Sequence, residues 1–248
     1  MRFLILGGTT EASALCRAVA GREGFEAVLS LAGRTKNPAP PPISCRVGGF
    51  GGIPGLIDYL RDERIDAVID ATHPFAAIMS ANASAACKAL AVPLAVFTRR
   101  PWQPVMGDQW IEVQTIEQAV SSLRQAPCRV FLTVGSLQLS AFAAVPQHYY
   151  LIRTIDPPSL DIFPSHRLIL ARGPFTVEEE IALIQDERID LLVTKNSGGE
   201  ATAAKLAAAR QAKIPVIMLQ RPPAGDAEVI WSVEEALQWL GRHRQTAR

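Results

Sequence analysis

Phe3-Leu4-Ile5-Leu6-Gly7-Gly8-Thr9-Thr10-Glu11-Ala12 is the stretch on which the fold turns. Four consecutive apolar residues, with no polar alternation, describe a strand covered on both faces, as in a parallel sheet between helices. Two glycines break the strand, and Glu11–Ala20 continues at helical spacing. The pattern then repeats outward: Ala27–Leu31 as strand, Leu56–Arg64 as helix, Ala67–Ile69 as strand, Ala76–Leu90 as helix and Pro93–Phe97 as strand. That rhythm predicts a parallel sheet with helices on both faces.

Pro101-Trp-Gln-Pro104 interrupts the rhythm, which then restarts. Strands are expected at Arg129–Val134, Tyr149–Thr154, Arg167–Leu170, Leu191–Thr194 and Val216–Leu219, and helices at Thr176–Gln185, Glu200–Gln211 and Val233–Leu240. Asp62-Glu-Arg-Ile-Asp66 recurs as Asp186-Glu-Arg-Ile-Asp190. Each copy leads into a short strand, a loop, an Ala-rich helix and a strand opened by Pro93 or Pro215. Shared context of this kind predicts two similar halves. The expected fold class is α/β, with two Rossmann-like domains of parallel strands, residues 1–104 and 105–248, and a ligand cleft between them.

The 248 residues suffice for two small domains. A formal net charge of +1 leaves no electrostatic footprint for nucleic acid, so an acidic ligand must be met by locally placed bases. No apolar run nears the roughly 18 residues that span a bilayer, and MRFLILGG lacks the features of a secretory signal. Cys16, Cys45, Cys87 and Cys128 stand singly, without metal spacing, and read as buried reduced thiols of a cytoplasmic protein. No metal, nucleic-acid or membrane partner is expected; the oligomeric state is left open, a monomer included.

The Gly7-Gly8 turn lets an anion approach the backbone, because glycine carries no Cβ and the following helix N-terminus points free N–H groups outward. Thr9 and Thr10 offer hydroxyls, and Ala12 stands where the third position of the dinucleotide fingerprint needs a small residue. The spacing departs from G-x-G-x-x-G, and a plain tight turn with Thr10 as N-cap is the alternative. Position after the first strand favours a nucleotide. At the second strand's end, Leu29-Ser30-Leu31-Ala32-Gly33-Arg34-Thr35-Lys36 contains no acid for a ribose hydroxyl, while Ser30, Arg34, Thr35 and Lys36 suit a 2′-phosphate. NADP is therefore favoured over NAD. Val47-Gly48-Gly49-Phe50-Gly51-Gly52 either admits a flat ligand closely or forms only a flexible turn.

Asp70-Ala71-Thr72-His73-Pro74-Phe75-Ala76 ends the fourth strand, where ligands collect in open α/β sheets. His73 could meet the cofactor or substrate there, although Thr72 as cap and Pro74 in the first turn supply a purely structural reading. In the second half, Thr194-Lys195-Asn196-Ser197-Gly198-Gly199-Glu200 forms a plausible anion cradle, and Val134-Gly135-Ser136 a weaker one. Arg153, Arg172 and Arg221 read individually as surface residues.

Together Leu4-Ile-Leu-Gly-Gly-Thr-Thr-Glu-Ala12, Ser30-Leu-Ala-Gly-Arg34, Val47-Gly-Gly-Phe-Gly51, Asp70-Ala-Thr-His-Pro-Phe-Ala76 and Val193-Thr-Lys-Asn-Ser-Gly-Gly199 resemble the precorrin-6A reductase family, in order and to about Pro222. The resemblance implies NADPH-dependent reduction of the macrocycle precorrin-6A to precorrin-6B in cobalamin biosynthesis. It implies cofactor contacts at Gly7, Gly8, Thr9, Thr10, Glu11, Ser30, Ala32, Gly33, Arg34, Gly49, Thr72 and His73. Contacts to the polycarboxylate tetrapyrrole are implied at Phe75, Gly135, Ser136, Lys195, Asn196, Ser197 and Gly198, with His73 and Lys195 the candidates for a catalytic part. A cobalt-bearing macrocycle is the nearest alternative, and a non-catalytic NADP-sensing module the alternative of another class. A common sugar or alcohol dehydrogenase is disfavoured, since none of Tyr59, Tyr149 and Tyr150 has a lysine four positions later.

Overall fold

The computed structural model describes residues 1–33 and 40–246. Arg2–Leu6 forms β1, and Phe3 through Leu6 are at most 2% exposed. Successive side chains leave a strand on opposite faces. Phe3 and Ile5 therefore pack with Leu15, Cys16 and Trp239 on one side, and Leu4 and Leu6 with Leu56, Leu60 and Ala86 on the other. Each such aliphatic contributes about 1.5–3 kcal/mol by leaving water, which is why the unbroken apolar run marks the centre of the sheet.

The chain continues through α1 (Thr10–Val19), β2 (Glu26–Leu31), β3 (Ser44–Val47), α2 (Gly52–Asp62), β4 (Ala67–Asp70), α3 (Ala77–Leu90) and β5 (Leu94–Phe97). Then follow β6 (Trp110–Val113), α4 (Ile116–Ser121), β7 (Arg129–Thr133), a 3-10 stretch Ser136–Ala144, β8 (Tyr149–Thr154), β9 (His166–Leu170), α5 (Val177–Asp186) and β10 (Leu191–Lys195). A short 3-10 turn Glu200–Thr202, α6 (Ala204–Ala212), β11 (Val216–Leu219), β12 (Glu228–Ile230) and α7 (Val233–Thr246) complete it. The expected helix over 200–211 is thus a 3-10 turn and a shorter helix. α2 starts at Gly52, earlier than expected, because Pro54 is tolerated within a first helical turn.

Two six-stranded parallel sheets result, in the orders β12-β5-β4-β1-β2-β3 and β6-β11-β10-β7-β8-β9. Read from β3 and from β9, both follow the doubly wound order, with the direction of winding reversing beside β1 and beside β7. The expected boundary needs correction. One unit comprises Met1–Arg100 with Pro222–Arg248, and the other Pro101–Arg221. The edge pieces are crossed relative to their order in sequence: β6 with α4, which follows β5, completes the second sheet, and β12 with α7, which follows β11, completes the first. A β-sheet edge with unpaired N–H and C=O groups accepts any strand of suitable register, so pairing of β12 with β5 decides membership over nearness in sequence.

The pentapeptide echo has a physical basis. Arg64 and Arg188 adopt left-handed φ of 51° and 49° and stop their helices. The following N–H groups of Ile65 and Ile189 return to Leu60 O and Ile184 O, both at 2.9 Å, and both isoleucines are buried. Asp66 Oδ2 then accepts the N–H of Arg2 at 2.7 Å, and Asp190 Oδ2 that of Arg129 at 2.8 Å. Glu63 pairs with the Arg2 guanidinium, and Glu187 with that of Arg129. The motif therefore latches a helix end to the first residue of the strand at the winding reversal. The exchanged pieces also echo each other: Gln118 Oε1 accepts from Gln114 N and Thr115 Oγ1 from Gln118 N, while Glu235 Oε2 accepts from Trp231 N and Ser232 Oγ from Glu235 N.

Candidate active site

In the first unit the carboxyl ends of β1, β2, β3 and β4 converge at the winding reversal. Gly7 is closely packed: a Cβ there would lie 2.4 Å from Leu29 Cδ1 and 3.3 Å from Ala12 Cβ, so a side chain would have to displace buried Leu29. Ala12 is 1% exposed, so it holds α1 tight to the sheet as the fingerprint's last small residue does. Gly8 is the opposite case, with φ of 116° and open space where a Cβ would stand. The turn thus keeps a bare backbone in front of the α1 N-terminus. Thr9, not Thr10, is the N-cap, accepting from Ala12 N at 3.2 Å and donating to Ala71 O at 2.7 Å. Its hydroxyl is spent fixing the turn against the end of β4, which leaves backbone amides as the anion donors.

Glu11, expected at the cofactor, pairs with Arg99 at 2.9 Å and accepts from Thr10 Oγ1 at 3.2 Å, so its carboxylate is already committed. Ser30 is buried at the end of β2, and Gly33 has φ of 75°. Arg34 lies outside the described residues, as do Thr35 and Lys36. A cation that the sequence reading passed over stands beside Ser30 instead. Arg46, its partner in the β2–β3 register, donates from Nη1 to Ser30 Oγ at 2.8 Å and to Gly48 O at 3.0 Å, and from Nη2 to Gly49 O at 3.0 Å. Its guanidinium lies 3.9 Å from the Phe50 ring centroid and 5.1 Å from that of Tyr59.

At the end of β4, buried Asp70 accepts from Thr72 N at 3.0 Å and from Thr72 Oγ1 at 2.6 Å. This tight turn spends the Thr72 hydroxyl, and Thr72 does not cap α3, whose N-cap Ala76 has no side chain to offer. His73 Nδ1 accepts the N–H of Phe75 at 3.2 Å, so a neutral ring carries its proton on Nε2. The two rings stand 5.9 Å apart, and both residues are half-buried.

In the second unit, the ends of β7 and β10 lie together. A Cβ on Gly135 would lie 3.5 Å from Lys195 Nζ, an ordinary contact distance, which places the ammonium beside this turn. Ser136 is exposed and opens the 3-10 stretch. Asn196 does not present its side chain to a ligand: it is 2% exposed, takes Trp102 N–H on Oδ1 at 2.8 Å, and donates to Trp102 O at 3.0 Å. Ser197 N–H bonds to Lys195 O at 2.7 Å, and Gly198 is buried with φ of 65°. Those contacts shape the loop around Lys195. Arg153, read as a surface residue, is buried, pairs with Glu180 at 2.6 Å and stacks on Phe175 at 3.9 Å. Arg221 donates from Nε to Asn196 O at 2.7 Å.

Among the described residues there is no cluster suited to a metal ion, and no helix is long and apolar enough to cross a membrane. Burial pushes the Cys16 and Cys87 thiols up to about 11 and about 12. Cys45 departs from the expectation of burial, being exposed at the sheet's edge strand β3.

The sheet order, the bare Gly7-Gly8 turn and the small residue at Ala12 define a protein of the Rossmann-like α/β class, whose sheet order the second unit repeats. Comparison with known proteins carries the assignment further. Residues 2–241 match the family described as Precorrin-6x reductase CbiJ/CobK, and the chain belongs to that family. It is 49% identical to the precorrin-6A reductase of Rhodobacter capsulatus, covering 100% of this chain and 98% of that one, and 47% identical to that of Rhodococcus erythropolis, covering 97% of each. Identity falls to 27% with the cobalt-precorrin-6A reductase of Priestia megaterium, over 96% of this chain and 97% of that one. A solved structure of CobK precorrin-6A reductase superposes with a TM-score of 0.90 at 48% identity, covering 98% and 97% of the two chains.

Proposed function

We propose that this chain reduces one double bond of precorrin-6A, giving precorrin-6B in cobalamin biosynthesis, with NADPH held on the first unit. The observation that carries the cofactor assignment is the turn after β1. Gly8 leaves open space in front of the α1 N-terminus, Gly7 and Ala12 hold that helix close, and Thr9 is locked to Ala71. These residues fit a pyrophosphate, whose charge is met by free amides and the helix dipole. NADPH, when bound, supplies the hydride. The absence of an acid at the end of β2 and the presence there of Ser30 support a 2′-phosphate over a bare ribose.

Lys195, beside Gly135, supports a substrate role in the second unit, where an ammonium on a glycine-lined loop would meet a carboxylate arm of the macrocycle. His73 is half-buried at the end of β4, next to the turn that Thr9 ties to Ala71, a position that supports contact with the cofactor. The metal-free substrate is favoured over its cobalt form because the relatives named for precorrin-6A share 49% and 47% identity with this chain against 27% for the one named for the cobalt form. The test is anaerobic mixing of the pure chain with NADPH and each macrocycle, followed by loss of nicotinamide absorbance. Faster consumption with precorrin-6A supports the assignment. Consumption with neither macrocycle overturns it, and tight NADPH binding without consumption would identify a sensor.

A further inference from the structure

We propose that Arg46 is the residue that reads the cofactor's 2′-phosphate, with Ser30 as its partner. The inference rests on the reading of the first unit as an NADPH site and assigns that site's specificity to a side chain on the third strand.

Three observations converge on it. The first is position. Ser30 and Arg46 are register partners at the carboxyl ends of β2 and β3, and in a doubly wound sheet the end of the second strand is where the adenosine ribose lies. The second is preorganisation. An arginine normally loses much side-chain freedom on binding an anion, but this one is already held by Ser30 Oγ, Gly48 O and Gly49 O and lies 3.9 Å from the Phe50 ring. Its Nε–H is given to none of these partners, and among the described residues no carboxylate pairs with it. Among the described residues the guanidinium thus has no carboxylate partner, at a place where a dianion would supply one. The third is space. Cβ atoms built on Gly48 and Gly49 meet nothing within 4 Å, and Gly48 holds φ of 122°. The guanidinium thus borders open volume. The Ser30 hydroxyl, accepting from Arg46, still has its own proton to donate to a phosphate oxygen.

A merely structural Arg46, pinning the glycine run to β2, would make a different prediction, so the test compares ligands that differ only in the phosphate. Titration calorimetry of the full chain uses adenosine 2′,5′-bisphosphate and 5′-AMP. The wild-type chain should prefer the bisphosphate at least tenfold. Arg46→Gln should bring that preference below about threefold while leaving 5′-AMP affinity unchanged, and Ser30→Ala should reduce it less. Retention of the tenfold preference in a folded Arg46→Gln chain overturns the proposal. Should Arg46→Gln fail to fold, the wild-type chain decides: the Arg46 Nε–H resonance must shift on saturation with the bisphosphate and not with 5′-AMP, and an unmoved resonance refutes the contact. If wild type shows no preference at all, the NADPH reading itself fails; if the preference exists but ignores Arg46, only this assignment does.

Discussion

Replacing Gly8 by alanine separates the backbone's role in binding from its role in folding. A Cβ at Gly8 meets no protein atom within 4 Å, so no clash opposes it, but φ of 116° is a conformation that L-residues avoid. Holding a non-glycine residue there costs about 1–3 kcal/mol, or a few degrees of melting temperature for a chain of this size. On the proposed function, the methyl group would instead stand in the space assigned to the pyrophosphate. Losing one amide–phosphate hydrogen bond of the charge-assisted kind costs about 1.5–3 kcal/mol, which weakens NADPH binding roughly 10- to 100-fold. Gly21 supplies the control, since it too has positive φ, 69°, and open space, but follows the far end of α1. Gly21→Ala should lose stability without losing affinity. Fluorescence titration with NADPH on both variants, alongside thermal melts, reads the two effects separately. Unchanged affinity in Gly8→Ala, or equal affinity losses in both variants, would refute the assignment of this turn to the pyrophosphate.

Lys195→Ala should raise the Michaelis constant for the macrocycle with little change in turnover, because a binding cation away from the reacting atoms acts equally on ground and transition states; steady-state kinetics showing the reverse would make Lys195 catalytic. Gly55→Ala should unfold the 47–62 region, since a Cβ there would lie 1.7 Å from Phe50 O, and circular dichroism should show lost helix or no soluble protein at all. Glu187 is buried, which alone would raise its pKa, yet hydrogen bonds from Tyr149 and Arg167 and the charges of Arg167 and Arg129 hold it below the ordinary glutamate range. A depressed folded pKa stabilises above the unfolded value near 4.3 and is lost as pH falls through the folded value. Glu187→Gln should therefore cost about 2 kcal/mol at neutral pH, discounted from the fully buried case because both arginines are partly exposed, and the gap to wild type should close under acid in urea titrations. Among the thiols, Cys45 should react first with a disulfide reagent in the native chain and Cys87 last, a ranking that thiol titration checks.

The central strands were legible because burial on both faces writes itself as an apolar run, as in Phe3–Leu6 and Leu191–Val193. Two of the edge strands, β6 and β12, were not. β6 carries exposed Ile111 and a glutamate at 112, and β12 is three residues long, so neither shows a pattern from which a strand can be read. Missing them hid the exchange of sixth strands and misplaced residues 222–248. At the candidate site, the places of the Gly7-Gly8 turn after β1 and of Ser30 at the end of β2 could be read from position in the rhythm. Arg46 could not, because its strand exposes Ser44, Cys45 and Val47 and the contact with Ser30 exists only once β2 and β3 pair. Asn196 misled for a related reason: its partner, Trp102, is 94 residues away, so a polar residue on a glycine loop looked like a ligand donor while serving as an internal clamp.

Where the two halves agree and where they part company is itself informative. The repeated pentapeptide lies at the amino ends of β4 and β10, where it latches a helix end to β1 or β7 through Asp66 or Asp190. Among the described residues, the four left-handed non-glycine residues fall in matching pairs, Arg64 with Arg188 and Ala91 with Lys213, each at a helix end that feeds a strand. At the carboxyl ends the likeness stops. β1 opens through Gly7-Gly8-Thr9 into an α-helix, whereas β7 opens through Gly135 into a 3-10 stretch, and Ser30 with Arg46 faces no such pair on β8 and β9, where Thr154 binds Asp156 O. A 3-10 start directs its N–H groups less uniformly than an α-helix, so the second sheet offers a poorer anion site at its reversal point. Selection for folding acts alike on both frames and keeps the amino ends alike. On the proposed function, different ligands at the two carboxyl ends remove that constraint, and the divergence there fits a nucleotide on the first unit and the macrocycle on the second.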